Sequence, residues 1–143
     1  MAVLYFFLLS FFLHLLWENL QAPLYQGYIS FAQHFPSCLI ATATGDILMM
    51  LFLYLTLAVV HEDLFWVADR SAFEYPATWL LPVLLGVLVA ISFELWAVYV
   101  AHRYAYAAMP LLPIVRIGVT PILQMVIVPL LTILLVLQSP FVE

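Results

Sequence analysis

The stretch AVLYFFLLSFFLHLLWENL, residues 2–20, is almost unbroken hydrocarbon that ends in polar groups. A bilayer-spanning helix needs about 20 apolar residues, so this reads as a membrane helix. No basic residue precedes it and no small-residue cleavage motif follows it. It therefore reads as a retained helix, not a cleaved signal peptide. Its last turns carry a pattern. His14, Trp17, Glu18 and Gln21 fall at i, i+3, i+4 and i+7 and share one face. Pro23 then stops or kinks the helix. An imidazole, an indole, a carboxylate and a carboxamide on one stripe of a greasy helix mark a site.

Three further apolar runs are long enough to span: 37–60, opened by Pro36; 77–101, after Pro76; and 112–137, before Pro140. The connections are too short to hold a soluble domain, and short loops make neighbouring helices antiparallel. The expected fold is all-α: a polytopic membrane protein whose residues 1–143 form one integral membrane domain, a four-transmembrane-helix antiparallel bundle. Composition agrees. The chain is 68% hydrophobic with a mean hydropathy of +1.18, against about 45–50% apolar in soluble domains.

Three basic residues, all arginine, face eight acids, for a net charge of −5. That argues against nucleic acid, which needs a basic patch, and against an electrostatic hold on anionic lipid. The one cysteine, Cys38, excludes an internal disulfide and a CxxC motif. No cofactor is expected, because there is no phosphate-binding glycine loop. Four histidines are too few for a multi-histidine iron site. A single metal on His14, Glu18 and Glu94 is conceivable, since His14 and Glu18 share a helix face, but the expectation is no metal.

Let side A be the N-terminal side of the membrane and side B the other. His14 and Glu18 lie near the B end of the first helix. Asp46 lies roughly 13 Å in from B on the second, and Glu94 roughly 10 Å in on the third. Arg116, Thr120 and Gln124 step down the fourth at i, i+4 and i+8. All sit in the B half, and the A half has only Thr56 and Thr132 as notable polar exceptions. A charge within a bilayer costs at least about 2.5–3.5 kcal/mol and usually faces the bundle interior with a function to serve. Small-residue stripes surround both deep acids: Cys38, Ala41, Thr42 and Gly45 beside Asp46, and Gly86, Ala90, Ala97 and Ala101 around Glu94. They should turn both acids toward protein. Arg116 is the expected counter-ion. One arginine cannot neutralise three acids, so a shared proton or a bound cation is implied. Arg103, Tyr104 and Tyr106 are assigned to the B interface, and the charged loop 61–76 to solvent.

A transporter needs a polar path through both halves of the membrane. Here only one half has it. The expectation is a pocket open to one side, in a cofactor-independent enzyme acting on a lipidic or isoprenoid substrate by acid–base chemistry, as an isomerase or cyclase. Glu94 and Asp46 are the expected acid and base, supported by Glu18 and His14. Trp17, Gln21, Trp96, Tyr99, Arg116 and Gln124 are expected to bind substrate, with aromatic faces stabilising positive charge. The expected partner is a membrane lipid or hydrophobic small molecule, with no nucleic acid. A homo-oligomer of opposed topologies is one arrangement that supplies the missing polar half. Two alternatives stay open: a small transporter or binding protein for a cation or hydrophobic amine, and an accessory subunit whose acids serve as interhelical glue. The expected location is multi-pass in the bacterial inner membrane, with B cytoplasmic by a bias of two arginines to one.

Overall fold

The computed structural model describes residues 1–143. Four helices carry the chain: α1 (Ala2–Gln21), α2 (Phe31–Val60), α3 (Pro76–Val100) and α4 (Val119–Leu137). Each belongs to a segment long and apolar enough to cross a membrane, and no strand forms. The fold is the expected all-α arrangement. On side A the C-terminus pairs with the loop after α2: Arg70 N–H donates to the Glu143 carbonyl at 2.9 Å, and Glu143 N–H to Ala68 at 3.0 Å. On side B the loops after α1 and α3 join: Gln26 N–H donates to Ala105 at 2.9 Å, and Ala107 N–H to Leu24 at 2.9 Å.

The A half holds the dry core. Phe6 packs on Tyr54 and Trp66, with ring centroids 5.4 and 6.1 Å apart, among Met50, Leu53, Leu57, Ile133 and Val136. The 61–76 loop is not a plain solvated loop. Its apolar residues Trp66, Val67, Ala72 and Phe73 have nowhere drier to go than the A end of the bundle, so they plug it. Trp66 Nε1–H donates to the Tyr54 carbonyl at 3.2 Å, and Tyr54 O–H to Leu64 at 2.6 Å. His61 stacks on Trp66 and meets Thr78 Oγ1 at 2.8 Å; partial burial draws its pKa below the ordinary histidine value.

Two boundaries differ from expectation. α2 starts at Phe31, not 37, and Pro36 stands inside it, exposed, where one lost N–H falls near the B end. α4 starts at Val119, not 112. Pro110 and Pro113 break any helix there, and the chain makes a tight hairpin instead. Leu112 N–H donates to Ile117 at 2.9 Å, Val119 N–H to Pro110 at 2.9 Å, and Arg116 takes a left-handed φ of 52°.

Both α2 and α3 contain a widened π turn, at Thr42–Asp46 and Trp96–Val100. Such turns re-aim side chains and recur at functional sites. In α2, Cys38, Thr42 and Asp46 point inward, while Ala41 and Gly45 are exposed, so the second small-residue stripe is not a packing seam. The α3 stripe is one. Gly86, Ala90, Glu94 and Ala97 are buried, and a Cβ on Gly86 would lie 2.0 Å from the Met125 carbonyl oxygen. α3 is thus held tightly to α4, and α4 to α1. α2 meets α3 chiefly through its A-side portion, Ile47–Val60. In the B half the ring of helices is open between α2 and α3.

Gly86→Ala should destabilise the bundle by about 1–3 kcal/mol, because backbone cannot yield as a side chain does. Gly45→Ala, where the added methyl meets open space, should be neutral or stabilising by up to about 1 kcal/mol. Unfolding in detergent, followed by circular dichroism, measures both.

Candidate functional site

α1 turns Ser10, His14 and Gln21 into the bundle, α2 turns in Asp46, α3 Glu94 and α4 Gln124; all are buried. Glu18 is half-buried at the rim. Side chains of α1, α2 and α4 meet in one hydrogen-bonded polar centre, and Glu94 of α3 stands beside it across a shared crevice. Gln21 Nε2 donates to Glu18 Oε1 at 2.9 Å and to Gln124 Oε1 at 2.9 Å. Gln124 Nε2 in turn lies 3.1 Å from His14 Nδ1 and 3.3 Å from Asp46 Oδ2. Thr120 O–H donates to Gln21 Oε1 at 3.0 Å. His14 Nδ1 and Asp46 Oδ2 are 3.7 Å apart, the one acid–imidazole contact in the chain.

Glu94 has different partners. Tyr104 O–H donates to one carboxyl oxygen and Tyr106 O–H to the other. Both phenols come from the B-side connection, where alternate residues of an extended segment face the same way. Tyr25 closes the group, 5.1 Å from Tyr104 and 5.9 Å from Tyr106 between ring centroids. The hairpin supports it: Gly118 N–H donates to the Tyr106 oxygen at 2.9 Å, and a Cβ on Gly118 would crowd the Tyr106 ring at 3.2 Å. Burial, followed by the nearby Glu94 carboxyl, pushes the Tyr25 phenol above its ordinary pKa of 10. For Tyr104 and Tyr106 the causes are burial first, then the hydrogen bond to Glu94. All three stay O–H donors at neutral pH.

The two clusters meet at a crevice of about 100 Å³ in the opening between α2 and α3. Its walls include Gly45, Asp46 and Met49 on one side and Ala90, Phe93 and Glu94 on the other. Apart from the two carboxyl groups these walls are apolar. The joined loops carry Tyr104 and Tyr106 to Glu94 at the B end of the bundle, beside this crevice.

Several expected ligands of this centre lie elsewhere. Arg116 is exposed in the hairpin and makes no ion pair, since the residues before Val119 are not helical. Trp96 is 44% exposed with the Arg103 guanidinium 5.6 Å above its ring. Tyr99 is 51% exposed and donates to the Val115 carbonyl at 2.8 Å. Both follow Glu94 on α3 but fall on the face turned outward, where aromatic residues anchor at an interface. Trp17 is half-buried at the flank and takes no part in the hydrogen-bond network. Tyr104 and Tyr106 are the Glu94 partners that helical spacing missed. A buried glutamate with no basic neighbour needs donors, and that need was the available signal.

No three His, Cys, Asp or Glu side chains are placed to hold a metal ion, so His14, Glu18 and Glu94 do not form a ligand set. All three arginines are exposed. Three carboxyl groups therefore share this centre with no basic side chain but His14, and protons or a bound cation must balance them. No protein-family model, curated protein or solved structure matches the chain.

Tyr104→Phe or Tyr106→Phe should each cost about 1.5–3 kcal/mol of stability, the range for hydrogen bonds to charged groups. In a Glu94→Gln background the loss should shrink, and a double-mutant cycle of unfolding free energies measures the difference. The pH dependence has a definite sign. The buried phenols hold their protons at a pH where the unfolded chain releases them, so stability is full below pH 10 and falls as pH rises above it. Unfolding free energy measured from neutral to alkaline pH should show that fall in the wild type and less of it in the double phenylalanine variant.

Proposed function

We propose that this protein is a membrane-embedded enzyme that isomerises or cyclises a lipidic or isoprenoid substrate by acid–base chemistry. One observation carries the reading: the Asp46 and Glu94 carboxyl groups share an apolar crevice between α2 and α3, within the segments apolar enough to cross a membrane. A hydrocarbon substrate reaches such a crevice without leaving the bilayer. Two carboxyl groups in unlike surroundings suit opposite roles. Two phenol donors on Glu94 support it as the proton acceptor. Asp46, touched by one long amide bond and facing His14, suits the donor.

In the proposed step Asp46 protonates one carbon of a double bond. The π pair forms the new C–H bond and leaves positive charge on the adjacent carbon. Glu94 then removes a proton from a neighbouring carbon, and that C–H pair becomes the shifted double bond. One turnover leaves Glu94 protonated and Asp46 ionised, so a proton passes back from Glu94 to Asp46 before the next. In a cyclisation a second double bond attacks the cation before the proton is lost. Phe93, on the crevice wall, presents an aromatic face to the cation, the role expected of Trp96 and Tyr99. The same proposal places the protein in the bacterial inner membrane.

A second reading, a binding or transport protein for a cation or hydrophobic amine, is favoured by the three carboxyl groups with no arginine. One experiment separates the two. Lipids and isoprenoids of cells making wild type, Glu94→Gln and Asp46→Asn are compared by mass spectrometry, with folding checked for each variant. Loss of one product and build-up of its isomer in both variants is the expected result. Profiles identical to wild type overturn the enzyme reading, and an amine that co-purifies only with wild type supports the second.

A further inference from the structure

The hydrogen-bond chain across the B half has a direction. A carboxylate offers only lone pairs, whereas a carboxamide has one donor end and one acceptor end. Glu18 Oε1 receives an N–H from Gln21 Nε2, and the second N–H of that amide goes to Gln124 Oε1, both at 2.9 Å. Gln124 must then turn its own NH2 group the other way. There it meets His14 Nδ1 at 3.1 Å and Asp46 Oδ2 at 3.3 Å. Each bond thus orients the next group, from Glu18 through two amides to the imidazole. Nδ1 must be the lone-pair nitrogen, so neutral His14 carries its proton on Nε2. That Nε2 is fully buried and has no partner within the chain.

Thr120 does not set this direction. Its oxygen lies 3.0 Å from Gln21 Oε1 and 2.8 Å from Met109 Sδ, so its hydroxyl has an acceptor whichever way Gln21 is turned. The fixed end is Glu18 in its ionised state, which can only accept.

We propose that Gln21 and Gln124 are positioning residues that carry the hydrogen-bond polarity of Glu18 across the bundle and fix His14 as the Nε2–H tautomer. In that state His14 is a hydrogen-bond donor to the interior. Without the Gln124 amide, Nδ1 faces Asp46 Oδ2 at 3.7 Å, an acceptor whenever Asp46 has given up its proton. The proton would then settle on Nδ1 and leave Nε2 as a base. Gln124 therefore selects between two functions of one imidazole. The coupling goes beyond the reaction proposed above and holds whatever the substrate, because it depends on donor and acceptor ends with Glu18 ionised.

The test is nitrogen-15 NMR of histidine-labelled protein in lipid nanodiscs, with the His14 signals assigned by their loss in His14→Gln. Wild type should show a protonated Nε2 and a lone-pair Nδ1. In Gln124→Leu the two nitrogen shifts should exchange. In Glu18→Gln a second set of His14 signals should appear, because an amide at position 18 can offer either end. Should Gln124→Leu fail to fold, Gln21→Leu breaks the chain further from the imidazole and should give the same mixture as Glu18→Gln. An Nδ1–H or doubly protonated ring in the wild type overturns the proposal. So does an unchanged single tautomer in Glu18→Gln or Gln21→Leu.

Discussion

Glu18, Asp46 and Glu94 sit where the bundle would otherwise be hydrocarbon, with no arginine at hand. An unsatisfied polar group in such a place costs several kcal/mol, so every carboxyl oxygen competes for a donor. That demand organises the B half of the molecule. It recruits the Gln21 and Gln124 amides for Glu18 and Asp46, and the Tyr104 and Tyr106 phenols for Glu94. The phenols must be delivered by a connection, which is why the loops after α1 and α3 are joined backbone to backbone and why the hairpin before α4 backs Tyr106. The A half carries no buried carboxyl group and closes chiefly with rings and aliphatic chains, its few polar atoms bonded to backbone carbonyls or to each other.

The crevice follows from unequal helix packing. Gly86 lets α3 approach the Met125 backbone until no side chain fits between them. α4 also packs on α1, and α1 on α2, while α2 meets α3 chiefly toward side A. The widened turn at Thr42–Asp46 lets α2 keep Asp46 inward while Gly45 faces open space. The crevice lies where α2 and α3 stand apart in the B half, with Asp46 on one wall and Glu94 on the other.

Much of this was legible in residue spacing. His14, Glu18 and Gln21 share a face of α1, Gln124 lies on the inner face of α4, and Asp46 and Glu94 are inward as their apolar surroundings imply. Spacing failed where the chain is not a regular α-helix. Arg116 was placed on a helix that does not begin until Val119, and Trp96 and Tyr99 were counted toward a site that α3 turns them away from. Tyr104 and Tyr106 belong to a loop, for which periodicity says nothing about direction.

By itself, then, the sequence determined the solvent and the architecture. Long apolar runs must form helices in a bilayer, because no other backbone arrangement within one segment satisfies its own hydrogen bonds there. It also determined that the polar groups lie in one half, since helical rise converts residue number directly into depth. Only the tertiary structure decided which donor serves which carboxyl, that Arg116 serves none, and that Asp46 and Glu94 share a crevice between α2 and α3. Those outcomes depend on rotations about helix axes, on two widened turns and on loop paths. Each is set by contacts between residues far apart in the chain, and no local pattern encodes them.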